Sequence, residues 1–217
     1  MSFYEDKIFP YVLDVVLFGL KKTRKELIST AEGRVLELGM GNGANLPYYS
    51  SKASEVVGIE PCAAMVELAK DFLHKQEAES TLSLELDRYT LDVGSGEELP
   101  YADDSFDTVV ACLVFCTIPD AEKAAKEMFR VLKPGGRMLF LEHVHAKPGI
   151  KHNIQNFVNP AWNLIGCGCN LNRNTKALFS DVGFEYERID ELQHHPWLLP
   201  LFSSVIKGAA SKPVESA

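Results

Sequence analysis

Positive charge is in short supply along this 217-residue chain: 22 Lys and Arg stand against 30 Asp and Glu, a formal net charge of −8. That balance argues against charge-driven, sequence-independent binding to nucleic acid, which needs many basic side chains to neutralise phosphates. No nucleic-acid partner is therefore expected. Also lacking is an apolar run able to cross a bilayer, which takes about 20 residues. The apolar run at residues 9–20 is too short and is interrupted by Asp14. No basic segment precedes it, so no secretory leader is expected. Cysteine is sparse and odd in number, five in all: Cys62, Cys112, Cys116, Cys167 and Cys169. This fits buried free thiols in a reducing, cytoplasmic setting better than a disulfide framework. Repeats, low-complexity tracts and obvious linkers are absent too. What remains is an ordinary globular composition, 46% apolar and 24% charged, in a length that suits one substantial domain.

Patterning divides the chain into an N-terminal helical segment, residues 1–30, and a domain of residues 31–217. In the first, Ile8, Tyr11, Val12, Val15 and Val16 recur at helical spacing, and Lys21, Lys22, Arg24 and Lys25 follow. Two readings stand. The helix packs over the domain or over a cofactor, or it makes peripheral contact with a membrane surface through residues 2–25 and helps hold a lipid-like acceptor.

The domain alternates between strand and helix patterns. Strands are expected at 34–38, 55–60, within 82–93, at 106–114 and at 137–145. The fourth is almost wholly apolar, as a strand buried on both faces would be. A turn or short helix is expected at 44–50, and helices at 63–75 and 121–132. The last of these is stopped by Pro134-Gly135-Gly136. Further helices are expected at 152–165 and 174–182. Residues 184–192 and 199–208 then read as a terminal β-hairpin whose loop contains Pro196. Alternation of this kind implies an α/β doubly wound, mostly parallel sheet that binds ligands at the carboxyl ends of its strands.

Three motifs fall at those ends. The first is Glu37-Leu38-Gly39-Met40-Gly41-Asn42-Gly43-Ala44. Glycines at a strand–helix turn let the backbone approach a ligand. Gly39, Gly41 and Ala44 also satisfy the dinucleotide pattern G-x-G-x-x-G/A, so this motif alone leaves a nicotinamide-dependent oxidoreductase open. Glu37 weighs against a pyrophosphate at that turn and favours a cationic, phosphate-free ligand such as S-adenosylmethionine (SAM). Its other reading is a carboxylate that ties down the loop through backbone N–H groups. The second motif is Glu60, which ends strand two before Pro61; an acid there can accept hydrogen bonds from both ribose hydroxyls. The third is the loop Gly94-Ser95-Gly96-Glu97-Glu98-Leu99-Pro100 before Ser105-Phe106-Asp107, placed beside an adenine.

Taken with Leu132-Lys133-Pro134-Gly135-Gly136, these motifs resemble, in order and spacing, the set of the class I SAM-dependent methyltransferases. The resemblance runs from about residue 33 to 145. It implies a Rossmann-like, seven-stranded sheet with an antiparallel last strand. SAM would be held by Glu37, Gly39, Gly41, Gly43, Glu60, Pro61, Ser95, Gly96 and Glu97, with Cys112 and Leu113 along its methionine part. Ser95 stands where many relatives carry Asp, so the adenine amino group is left to a hydroxyl or to backbone.

The second half resembles a narrower group, the methyltransferase-like family that includes membrane-associated thiol S-methyltransferases. The residues concerned are Leu113-Val114-Phe115-Cys116, Glu142-His143-Val144, Asn159-Pro160-Ala161-Trp162 and Gly168-Cys169-Asn170-Leu171. This implies a small-molecule acceptor, a thiol above all; lipid amines and quinols are the alternative from more distant relatives. A SAM-binding domain without catalysis is the alternative of another class. A thiol, with a pKa near 8.5, ionises readily beside a positive group. A weaker nucleophile needs a base, for which His143 and His145 are candidates, two apart on one face of strand five. Thr117 occupies a position that is His in many relatives. Asn170, Asn172 and Arg173 line the acceptor pocket or cap the next helix, a task Asn174 can do unaided. Trp162 walls the pocket or belongs to the core. No metal site is expected: Cys167-Gly168-Cys169 has C-x-C spacing without a second ligand pair.

Overall fold

The computed structural model describes residues 19–166, 168–193 and 204–214. Most of the N-terminal helical segment, Cys167 and the hairpin loop with Pro196 lie outside them. Helix α1 spans Lys21–Ile28 and buries Arg24, Leu27 and Ile28. Then follow β1 (Gly33–Leu38), a 3-10 turn (Leu46–Tyr48), β2 (Ala53–Glu60), α2 (Ala63–Ala78), β3 (Tyr89–Val93) and β4 (Phe106–Cys112). The chain continues through α3 (Ala121–Val131), β5 (Leu132–His143), α4 (Ile150–Ile165), α5 (Thr175–Val182), β6 (Glu185–Gln193) and β7 (Ser204–Ser211).

The strands form one seven-stranded sheet in the order β3-β2-β1-β4-β5-β7-β6. β1 to β5 are parallel, and β7 is antiparallel to both β5 and β6. Two-residue alternation sends side chains to two separate cores. Leu36, Leu38, Val109, Ala111, Met138 and Phe140 face α3 and α5, packing with Ala124, Met128 and Phe179. Val35, Val56, Val110, Leu139 and Leu141 face α1 and α2, packing with Ile28, Val66 and Leu73. Both helix layers therefore press on central strands with little polar surface.

Several boundaries differ from the sequence expectation, each for a local reason. The third strand occupies only the end of 82–93, because Leu86–Arg88 forms a 3-10 turn first. Residues 113 and 114 leave the fourth strand at Leu113, which takes φ +57°. Pro134-Gly135-Gly136 does not stop the third long helix. That helix ends at Val131, and Leu132 at once pairs with Phe106, so the Pro-Gly-Gly run lies within β5. β5 ends at His143, so His145 lies beyond the strand and the alternation that would set both imidazoles on one face does not reach it. The second hairpin strand is described from Ser204 and runs to Ser211, three residues beyond the expected end at 208; residues 199–203 of that expectation lie outside the described residues. Asn174 caps α5 by accepting the Ala177 N–H at 3.2 Å.

Candidate active site

β1 and β4 are neighbours whose onward connections run to opposite sides of the sheet, which leaves a crevice at their carboxyl ends. In register, Leu38 pairs with Ile59 on one side and Ala111 on the other, and Glu60 pairs with Val93. The glycine turn, Glu60, the loop after β3 and the turn after β4 thus meet at one edge.

The glycine turn rises from β1. A Cβ on Gly39 (φ +64°) would lie 2.2 Å from Val114 Cγ2, whereas a Cβ on Gly41 (φ +56°) would meet nothing within 4 Å. Gly39 is thus demanded by both sterics and conformation. Gly41 is demanded by conformation alone and presents bare backbone to open space.

Glu37, beneath the turn, is 1% exposed. Asn45 Nδ2 and Tyr49 Oη each donate to it at 2.7 Å, one to each carboxylate oxygen. Arg24 of α1 backs this network, donating Nε to Asn45 Oδ1 at 2.9 Å and a terminal N–H to the Ala44 carbonyl at 2.7 Å. Burial pushes the Glu37 carboxyl above its ordinary pKa, against the pull of Asn45, Tyr49 and Arg24. The hydrogen bonds seen at Glu37 tie down the loop, through side chains instead of backbone amides. Arg24, grouped in the sequence with Lys21, Lys22 and Lys25, turns inward.

Glu60 sits where β2 meets the turn. Its Oε2 accepts the Gly41 N–H and its Oε1 the Cys62 N–H, both at 3.1 Å. Partial burial raises its pKa, opposed by those two amides. Each oxygen keeps acceptor capacity beyond its one amide. Pro61 beside it is exposed. In the loop after β3, Ser95 Oγ accepts the Glu97 N–H at 3.1 Å, and Glu97 Oε1 accepts the N–H of Asp120, the α3 cap, at 2.6 Å. A Cβ on Gly96 would lie 2.5 Å from Leu38 Cδ1, so this loop packs directly on the end of β1. Cys112 and Leu113 are half-buried, and burial pushes the Cys112 thiol up to about 12.

On the other flank the turn 113–118 is held by side chains from far along the chain. Glu142 Oε1 accepts the N–H groups of Val114 and Phe115 at 3.1 and 3.3 Å. Arg173 donates to the carbonyls of Phe115 and Ile118. Asn170 donates its backbone N–H (2.7 Å) and its Nδ2 (3.1 Å) to the carbonyl of Cys116. Asn159 and Asn163 of α4 reach the same loop, through the Leu171 N–H and the Gly168 carbonyl. Asn172 instead bonds Asn156 on the surface. His143 is 5% exposed. His145 stacks on His152 with ring centroids 3.8 Å apart, and its pKa is lowered, chiefly by burial. His145 thus lies against the imidazole of His152, beyond the end of the strand that carries His143. Trp162 is half-buried on α4, beside the thiol of Cys169.

The sequence reading missed Asn45, Tyr49 and Arg24, whose role depends on contacts that no local motif announces. It also passed over Glu142 as a functional group, although an acid directly after the apolar run Met138–Leu141 carries a signal of its own.

The chemistry of the crevice suits a cationic, phosphate-free nucleoside such as SAM. An acidic acceptor ends β2, an open-sided glycine turn lies beside it, and the carboxylates flanking that turn favour a cation over a pyrophosphate. Comparison with known proteins agrees. A family model described as a methyltransferase domain matches residues 36–140. A rat protein named thiol S-methyltransferase TMT1B is 37% identical over 75% of this chain and 67% of its own length. The human thiol S-methyltransferase TMT1A is 32% identical over 86% of this chain and 79% of its own. Among solved structures, the YcgJ protein of Bacillus subtilis superposes with a TM-score of 0.68 at 21% identity, covering 92% of this chain and 99% of that one.

Proposed function

Since the chain belongs to the class I SAM-dependent methyltransferases, we propose that its methyl acceptor is a small thiol. The observation that carries this reading is the state of the two histidines. One is buried and the other is stacked against a second imidazole, so neither is presented as an exposed base among the described residues. An acceptor that must lose a proton unaided is best served by a thiol, whose pKa of about 8.5 leaves a useful thiolate fraction at neutral pH. The likeness to thiol S-methyltransferases supports the same choice.

In this reading Glu60 accepts the ribose hydroxyls, and the Gly39–Gly43 turn lies along the cofactor with Gly41 facing it. Pro61 and the loop of Ser95, Gly96 and Glu97 flank the adenine, and Cys112 and Leu113 line the methionine end. Glu37 acts from beneath, keeping the turn in shape through Asn45 and Tyr49. When bound, the cofactor supplies a methyl group on a sulfonium, already activated for displacement. The protein's part is alignment, which contributes roughly 7–11 kcal/mol when nucleophile and leaving group are held in line. The turn 113–118, fixed by Glu142, Asn170 and Arg173, provides a rigid wall on the acceptor flank.

The same reading includes peripheral membrane contact. It draws on the exposed Lys21, Lys22 and Lys25 of α1 and on α4, where Ile150, Phe157 and Leu164 are more than 80% exposed. Co-sedimentation with anionic vesicles, reversed by salt, is the expected result; no pelleting at low salt removes this part.

A radiolabelled-methyl screen across small alkyl thiols, lipid amines and quinols tests the acceptor. Label in thiols is expected. Label confined to amines or quinols would overturn the choice of a thiol.

A further inference from the structure

Glu142 lies at the carboxyl end of β5, an interior strand of the sheet, and is 0% exposed. One oxygen, Oε1, accepts the two amides that begin the turn after β4. The other, Oε2, is buried with no hydrogen-bond partner. An unpaired buried acceptor of this kind is disfavoured by roughly 1–3 kcal/mol, so its retention calls for a reason.

The turn it holds touches the cofactor cradle. Val114 covers Gly39 so closely that no Cβ fits between them, and Leu113, just before it, is held at φ +57°. Such backbone persists in a non-glycine residue only where its surroundings impose it. Glu142 is part of those surroundings, bonding the next two amides. We propose that Glu142 is a positioning residue for methyl transfer: as a carboxylate it draws the Val114 and Phe115 amides together and seats Val114 on Gly39, closing the methionine end of the cofactor site. This rests on the cofactor placement proposed above.

Chemistry follows from the free oxygen. Burial raises the carboxyl to about 8, so at neutral pH a proton sits on Oε2 for much of the time. Amide bonds to an ionised acceptor are stronger than to a neutral one. Cofactor binding therefore favours the carboxylate, and the Oε2 proton passes to buffer. The titratable and charged groups around Glu142 are Cys112 on β4, Cys116 in the turn, and Cys169 and Arg173 in the loop before α5. Burial pushes the Cys112 thiol well above this range, and contact with Cys169 together with burial does the same to Cys116. Cys169 is drawn downward, first by the Cys116 thiol, then by Trp162 and Arg173, and so needs its own control.

The test is calorimetric affinity for S-adenosylhomocysteine between pH 7 and 9. If only the ionised form binds, wild type tightens by about tenfold across that range, following the ionised fraction. Glu142→Gln keeps a carbonyl for the two amides and should be flat, while Cys169→Ser should keep the wild-type inflection. A flat wild-type profile overturns the proposal, as does an inflection that survives in Glu142→Gln or vanishes in Cys169→Ser. Should Glu142→Gln fail to fold, infrared difference spectra of wild type decide. Loss of a protonated-carboxyl band on binding at pH 7.5 supports the proposal, and an unchanged band overturns it. Glu60→Ala tests the placement separately: affinity unaffected by that change sinks the placement, whereas Glu60-dependent binding with a flat profile sinks only the role of Glu142.

Discussion

The two flanks of the crevice are built by different means. On the proposed donor side the working parts are local: a glycine turn, an acid two residues before it, a second acid ending the next strand, and a loop packed on β1. On the proposed acceptor side the turn 113–118 owes its shape to Glu142, Asn170 and Arg173, the last reaching back across 58 positions. A site for an invariant donor can be written in short backbone motifs, because the same nucleoside must always be met. A site for a variable acceptor is held by side chains on later elements, which can change without disturbing the donor cradle.

The largest effect on cofactor affinity is expected at Glu60. Glu60→Ala removes the carboxylate proposed to accept the ribose hydroxyls, and charge-assisted bonds of that kind put the loss at about 2 kcal/mol, or roughly 30-fold in affinity. Stability should change little, since Glu60 lies at the strand end and bonds only two loop amides. Calorimetry with S-adenosylhomocysteine and a thermal melt read the two quantities. Equal affinity in the variant would place the sugar elsewhere.

Next is a matched pair within the glycine turn. Gly39→Ala meets both a positive φ and the Val114 side chain, so a stability loss of about 3 kcal/mol is expected, a fall in Tm of about 10 °C. Gly41→Ala meets the φ penalty alone, about 1 kcal/mol. Its Cβ instead enters the proposed cofactor space, so affinity should fall more than stability. If both variants melt alike, the contact between the two flanks through Val114 is not what the structure implies.

This division also explains what could be read in advance. The five parallel strands, the terminal hairpin and the positions of the acids at 37 and 60 follow from short apolar runs and from glycines, both local signals. The helix end at Val131 agrees with the expectation to one residue, but the fifth strand starts at Leu132 instead of 137: Pro134-Gly135-Gly136 looks like a stop signal, whereas the pairing of Leu132 with Phe106 has already begun the strand. Pairing is non-local and leaves no mark in the run itself. His143 and His145 were set on one face by assuming that β5 continued to residue 145. The strand ends at His143, and His145 stacks on His152 of α4, a contact that the run itself does not announce. Arg24 is indistinguishable in the sequence from Lys21, Lys22 and Lys25, because its partners, Asn45 and the Ala44 carbonyl, lie some 20 residues on.

The smallest expected effect lies at the far end of the acceptor loop. Asn174 accepts the Ala177 N–H and so satisfies one of the free amides that begin α5. The same helix buries Phe179, which contacts Phe115 at a centroid distance of 4.8 Å with the rings nearly perpendicular. Asn174→Ala should lose about 1 kcal/mol, a fall in Tm of about 3 °C. Because Arg173, its neighbour, grips the turn 113–118, fraying at the start of α5 should loosen that turn before it touches Glu60. Acceptor KM should therefore rise while SAM KM holds, and steady-state kinetics with each substrate varied in turn distinguishes the two. A matching rise in SAM KM would mean that the two flanks are one cooperative unit.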